Sequence, residues 1–205
     1  RRFFKLTLGS VAAAGLAACG GAGYVTRVEP HWPALERLDV WLPGLPPHLD
    51  GFTIVQLSDL HRGPEVSAGD ISRAVRLAQR QEGVDLIALT GDYVSRSAGY
   101  APSCAEALAP LAAGDVLACL GNHDPWTDAN TVAAALADVG IVVLRNTARE
   151  VADGLWVAAV DDVWERHADL DRALEHVPAG ATVVLLAHEP DYADTVAADG
   201  RVCLQ

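Results

Sequence analysis

The chain has 205 residues, enough for one domain with a sizeable buried core and a short appendage. Hydrophobic residues make up 51% and charged residues 20%, which excludes an intrinsically disordered chain. The formal net charge of -12 argues against a nucleic-acid backbone as the main partner, although bound divalent cations would invert the local field for an anionic substrate.

Arg1, Arg2 and Lys5 precede an uncharged apolar stretch from Leu6 to Ala18, the pattern of an export signal. Arg1-Arg2-Phe3-Phe4-Lys5 resembles a twin-arginine signal, which carries proteins that are already folded. Leu16-Ala17-Ala18-Cys19 resembles a bacterial lipobox, and an uncleaved apolar anchor is the alternative. Residues 1–23 are therefore expected to be a signal or membrane anchor, and the protein to sit at the outer face of a bacterial cytoplasmic membrane. Residues 24–50, with Pro30, Pro33, Pro43, Pro46 and Pro47, read as a linker, and 37–42 alternates within it like an edge strand. The chain opens on Arg1 rather than Met and stops at Gln205, so it is expected to be part of a longer one.

From residue 51 strand and helix signals alternate. The predicted strands are 52–58, 84–89, 115–120, 141–144, 155–160 and 182–187, all near-continuous apolar runs of the kind covered on both faces. Helical spacing joins Ile71, Ala74, Val75 and Ala78 after Ser67 or Asp70, and Cys104, Leu108, Leu111 and Ala112 after Ser103. It recurs at Val132, Ala135, Leu136 and Val139 after Asp128, and at Leu170, Ala173, Leu174 and Val177 after Asp169. Each helix has an apolar face and a capping residue, so 51–205 is expected to be one layered α/β domain. None of the four cysteines forms a C-x-x-C pair, which leaves no zinc-knuckle or thioredoxin-type signal. Cys119 reads as a small buried hydrophobe, and a Cys104–Cys119 disulfide stays open for an exported protein.

One arrangement recurs four times: an apolar strand ends and metal-capable side chains follow at once. Strand 52–58 leads into Asp59-Leu60-His61, 84–89 into Gly91-Asp92, 115–120 into Gly121-Asn122-His123-Asp124, and 182–187 into His188. In open α/β sheets ligands bind outside the carboxyl ends of the strands, so four such ends in one sheet would form one crevice. Asp59 and His61 stand at i and i+2, and in an extended segment both point the same way and can grip one ion. Gly91 and Gly121 permit turns or close backbone approach. Taken singly, Asp59 or Asp92 is as well explained as a helix cap and Asn122 as a turn residue. The fourfold coincidence is what points to a shared metal site. Carboxylate, imidazole and amide oxygen together suit manganese, iron or zinc better than calcium.

The segments Asp59-Leu60-His61, Gly91-Asp92, Gly121-Asn122-His123-Asp124 and His188 resemble those of the calcineurin-like metallophosphoesterases, over about residue 52 to the end. The N-terminal segment, Val160-Asp161-Asp162-Val163-Trp164 and Ala187-His188-Glu189-Pro190-Asp191 are most similar to the bacterial membrane-associated YkuE/YaeI-like branch. The resemblance implies a four-layer α/β/β/α sandwich with two mixed sheets. It implies that Asp59 and His61 bind a first divalent ion, that Asp92 bridges, that Asn122 and His188 bind a second, and that His123 is catalytic rather than a ligand. It further implies cleavage of phosphate mono- or diesters by a hydroxide held between two ions, with His123 assisting the leaving oxygen. Two features depart from the family. Its Gly-His-x-His segment is absent, although Val202-Cys203-Leu204-Gln205 looks like the strand leading into it, and each ion lacks one histidine here. The Asp that many relatives carry three residues after the bridging Asp is Ser95, with Asp124 as a substitute orienter for His123.

A lipid-linked phosphoester fits a membrane-proximal location, and a monomer without nucleic-acid partners is expected. The competing class is a metal-binding scaffold of the same fold without turnover, which Ser95 favours; a nuclease is weakened by the acidic charge. Arg62 reads either as a phosphate contact or as a surface arginine. Asp161, Asp162 and Trp164 read either as an entrance or as a turn, Tyr93 as packing, and His31, His48, His167 and His176 as surface.

Overall fold

The computed structural model describes residues 20–25 and 31–205. The export signal, twin-arginine segment and Cys19 lipobox expected from the sequence lie largely outside them. The chain divides into two compact units at Leu38 and Asp39; of the first, residues 20–25 are helical. Among the described residues no helix is long and apolar enough to cross a membrane. Residues 37–42, expected as an edge strand, form no strand and are almost wholly exposed. Alternation makes a strand only where a neighbouring edge supplies ladder hydrogen bonds and a face to cover, and 37–42 pair with no strand among the described residues.

The second unit holds two sheets. Strands β1 (Ile54–Leu57), β2 (Leu86–Thr90), β3 (Val116–Cys119) and β4 (Val142–Val143) lie side by side in that order, all parallel. Strands β5 (Thr147–Ala152), β6 (Leu155–Ala159) and β7 (Thr182–Leu186) form the second, with β5 antiparallel and β7 parallel to β6. Only the second sheet is therefore mixed among the described residues, where two mixed sheets were expected. Strand β5 escaped the sequence reading because it is a polar edge, with Thr147, Arg149 and Glu150 exposed. Asp153-Gly154, with Gly154 at φ 75°, makes the tight turn into β6 and was the overlooked hairpin signal.

The second unit also holds six α-helices: α1 (Ala68–Gln79), α2 (Ala101–Leu108), α3 (His123–Thr127), α4 (Ala129–Asp138), α5 (Leu170–Leu174) and α6 (Ala193–Asp199). Ser67 and Asp70 both cap α1, each side chain accepting the other's amide. Asp128 and Asp169 cap α4 and α5. Ser103, expected as a cap, lies inside the first turn of α2, and its hydroxyl donates to the Tyr100 carbonyl.

Strand periodicity sorts the core into layers. Leu89, Val116 and Ala118 face helices α1, α2 and α4, with Ile71, Val75, Leu108 and Leu136. Leu86, Ala88, Leu117 and Cys119 face the other sheet, against Val157, Ala159, Val184 and Leu186. Ala158, Val183 and Leu185 face α5 and α6, with Leu174 and Val196. This is the α/β/β/α sandwich. Leu49, from the supposed linker, is buried between the sheets. Cys104 and Cys119 are free thiols in different layers, which excludes the disulfide left open above, and burial pushes the Cys104 thiol up to about 12.

Candidate metal centre

The predicted residues meet at the carboxyl ends of the strands, but not on one sheet. Asp59, Asp92 and Asn122 follow β1, β2 and β3 of the first sheet, while His188 follows β7 of the second. The crevice is thus shared by both sheets, because their inner faces pack together and bring the ends of β2 and β7 side by side.

Asp92 is the hub. It is 2% exposed, and its Oδ1 accepts the backbone amide of His123 at 2.8 Å. Its Oδ2 faces His61 Nε2 and His188 Nε2, each at 3.4 Å. That spacing is loose for a charge-assisted hydrogen bond, about 2.7–2.9 Å. It suits two ligands of one ion, since atoms about 2.0–2.2 Å from a metal lie roughly 3–3.5 Å apart. Asp59 Oδ1 stands 3.5 Å from His61 Nε2. Ligand atoms of Asp59, Asp92 and His188, and of His61, Asp92 and His123, each lie within 4.8 Å of one another. The donor set therefore fits divalent cations held around Asp92.

The backbone is strained to achieve this. Asp59, His61 and Asp92 have φ of 55°, 45° and 57°, three of the five described non-glycine residues in the left-handed region. Asp59 and His61 do not face the same way through an extended segment, as expected. They do so through two left-handed turns, held by Asp59 N to Gly91 O at 3.1 Å and His61 N to Asp92 O at 2.8 Å. The parallel pairing of β1 with β2 thus continues into loops. Gly91, at φ 98°, and Gly121 lie back to back: a Cβ on Gly91 would stand 2.4 Å from Gly121 N, and one on Gly121 2.4 Å from Asp92 Oδ1 and 2.9 Å from His188 Cγ. Close approach is what both glycines provide.

A buried carboxylate holds these loops in register. Asp124, fully buried, accepts the amides of Asp92, Tyr93, Val94 and Gly121 at 2.9–3.4 Å. Burial pushes its carboxyl up to about 6, against the pull of those amides. It does not orient His123, the task considered for it. His123 Nδ1 instead faces the Ser95 carbonyl at 3.3 Å, while the Ser95 hydroxyl is buried without a partner. His188 Nδ1 lies 2.8 Å from the Thr90 carbonyl, which fixes the proton on Nδ1 and leaves Nε2 toward Asp92. The Asp92 carboxylate raises His188 to about 9. Burial alone would raise Asp92, but His188 and the His123 amide hold it below the usual carboxylate range.

Other candidates point elsewhere. Arg62 donates to Ser103 Oγ, Gly63 O and Val66 O and covers the Tyr100 ring at 4.8 Å, a strut rather than a phosphate contact. Arg145 clamps Asp161, while Asp162 Oδ1 accepts the Glu165 amide. Tyr93 is buried, its hydroxyl donating to Leu89 O and Cys119 O. His31, His48, His167 and His176 are exposed as expected. Trp126 was overlooked: its indole lies 4.9 Å from the His123 ring and 6.3 Å from Trp164, which does belong to the site's rim. Its place three residues after His123, in the same motif, was the available signal.

Residues 52–204 match the family described as Metallophos, calcineurin-like phosphoesterase. The chain is 32% identical over 203 residues to the uncharacterized metallophosphoesterase YkuE of Bacillus subtilis, covering 94% of this chain and 70% of that protein. It is 29% identical to a transmembrane protein with metallophosphoesterase domain of Danio rerio, covering 82% of this chain and 41% of the relative. It is also 35% identical over 109 residues to the UDP-2,3-diacylglucosamine pyrophosphatase LpxG of Chlamydia muridarum, covering 49% of this chain and 31% of that enzyme.

Proposed function

This chain belongs to the calcineurin-like phosphoesterases, and from that premise we propose that it hydrolyses phosphate mono- or diesters with two divalent cations held around Asp92. The observation that carries the reading is the convergence of His61 and His188 on one oxygen of a buried carboxylate whose other oxygen is already occupied. Asp59 and His61 would hold the first ion, Asn122 and His188 the second, and Asp92 would contribute to both. Asn122 is buried at the start of α3 without using its side chain as a cap, which frees its amide oxygen. Manganese, iron and zinc suit the donors.

Bound divalent ions supply charge for the phosphoryl oxygens and lower the pKa of a coordinated water toward neutrality. The protein supplies the rest. Thr90 and Asp92 fix the ring of His188, and Asp124 fixes the loop amides. The Ser95 carbonyl keeps a proton on His123 Nδ1, so Nε2 is the atom turned to the leaving oxygen, and in the imidazolium form the Nε2–H would pass to that oxygen and leave the Nδ1–H in place. A lipid-linked substrate at the outer face of a bacterial cytoplasmic membrane, reached through the N-terminal segment, is supported by the signal-like residues 1–23 and by the likeness to LpxG.

The test compares wild type, His123→Ala and Asp92→Ala for turnover of a generic phosphodiester with manganese, and for metal content by mass spectrometry. His123→Ala is expected to lower kcat by about 10²–10⁴ and to keep its metal. Asp92→Ala is expected to lose both. Parallel loss of metal in His123→Ala would make His123 a ligand, a role its place near His61 and Asp92 allows. Stoichiometric metal without any turnover in wild type would favour the scaffold.

A further inference from the structure

Four aromatic rings step outward from the centre. His61 and His123 meet edge to face with centroids 4.7 Å apart, His123 and Trp126 are 4.9 Å apart, and Trp126 and Trp164 are 6.3 Å apart. The interplanar angles fall from 85° to 48° to 31°, so the rings become more nearly parallel toward solvent. The last two come from different sheets' ends: Trp126 from α3, beyond β3, and Trp164 from the turn after β6. They are tied together, because Trp126 Nε1 donates to Glu165 Oε1 at 2.8 Å and the Glu165 amide donates to buried Asp162 at 2.7 Å. Yet Trp126 and Trp164 are 53% and 59% exposed. Indoles that serve only packing are mostly buried. These two are held in place with their faces open, beside the ring assigned to the leaving oxygen.

Building on the role proposed above for His123, we propose that Trp126 and Trp164 form the wall that receives the leaving group, and that the protein selects phosphoesters whose leaving group carries a flat aromatic body. A planar ring continues the ladder at the spacing that aromatic pairs prefer, about 4.5–7 Å. A wall already fixed by the Glu165 contact loses little freedom on binding. A small alkyl ester reaches the metals and His123 but leaves the wall uncovered.

Calorimetric titration of the manganese-loaded chain with phenyl-, cyclohexyl- and methylphosphonate tests this without turnover. Phenylphosphonate is expected to bind at least tenfold tighter than methylphosphonate, with cyclohexylphosphonate well below the phenyl compound. The double substitution Trp126→Ala with Trp164→Ala is expected to remove the phenyl preference, with methylphosphonate affinity within twofold of wild type and manganese content unchanged. Phe at both positions restores most of it. Equal affinity for phenyl and methyl, or for phenyl and cyclohexyl, overturns the proposal, as does no binding of any of the three. A uniform loss for all three in the double variant also overturns it, since the indoles would then only prop His123. A retained preference in a protein that hydrolyses no ester rejects hydrolysis and keeps the wall; hydrolysis without the preference does the reverse.

Discussion

At the scale of single residues the site depends on atoms with one task each. Asp124 shows this most clearly: both its oxygens accept backbone amides, and an amide side chain offers only one oxygen. Asp124→Asn leaves buried N–H groups facing an NH₂, and is expected to destabilise the protein by about 3 kcal/mol in urea unfolding. His188 gives a pH dependence. Its folded value of about 9 lies above the ordinary 6.5, so the stability it contributes in the metal-free protein is fully present below about 6.5 and is lost as pH rises through 9. The melting temperature in chelator is therefore expected to fall between pH 6.5 and 9, and this part of the fall to vanish in His188→Ala. Metal affinity runs the other way, rising over the same range as the proton competing for Nε2 is released.

At the scale of elements, the apolar strands and the capped helices α1, α4 and α5 were legible because burial on both faces and capping are local chemistry. The motif residues were legible because four strand ends carried them. What was not legible depended on partners distant in sequence: the polar edge β5, the failure of 37–42 to find a sheet, and the contribution of His188 from the second sheet. The link from His123 to the Ser95 carbonyl was invisible for another reason, since a backbone acceptor leaves no mark on residue type. The glycine pair was visible as composition but not as contact. Gly121→Ala places a methyl against Asp92 Oδ1 and His188 Cγ. It is expected to weaken manganese binding at least tenfold, measured by calorimetry, in a protein that keeps its far-ultraviolet circular dichroism. Overpacking of this kind costs about 1–3 kcal/mol.

At the scale of the whole second unit, the candidate metal centre spans the two sheets. An ion pair held by Asp59, His61, Asp92, Asn122 and His188 would act as a clasp across the sandwich, so its removal should be felt by both sheets at once. Saturating manganese at a thousandfold over its dissociation constant is expected to add about 4 kcal/mol, and chelator to lower a single cooperative melting transition. Two separate transitions would show that the sheets do not depend on the clasp together. The left-handed backbone at Asp59, His61 and Asp92 has a consequence for descent. Each costs roughly 1–3 kcal/mol, a large share of the 5–15 kcal/mol by which a domain is usually stable. Glycine at those positions relieves the strain and abolishes the ligand. A lineage released from the need to bind metal would therefore gain sturdiness by drifting there, and glycine at the three sites would mark a descendant that has retired from catalysis.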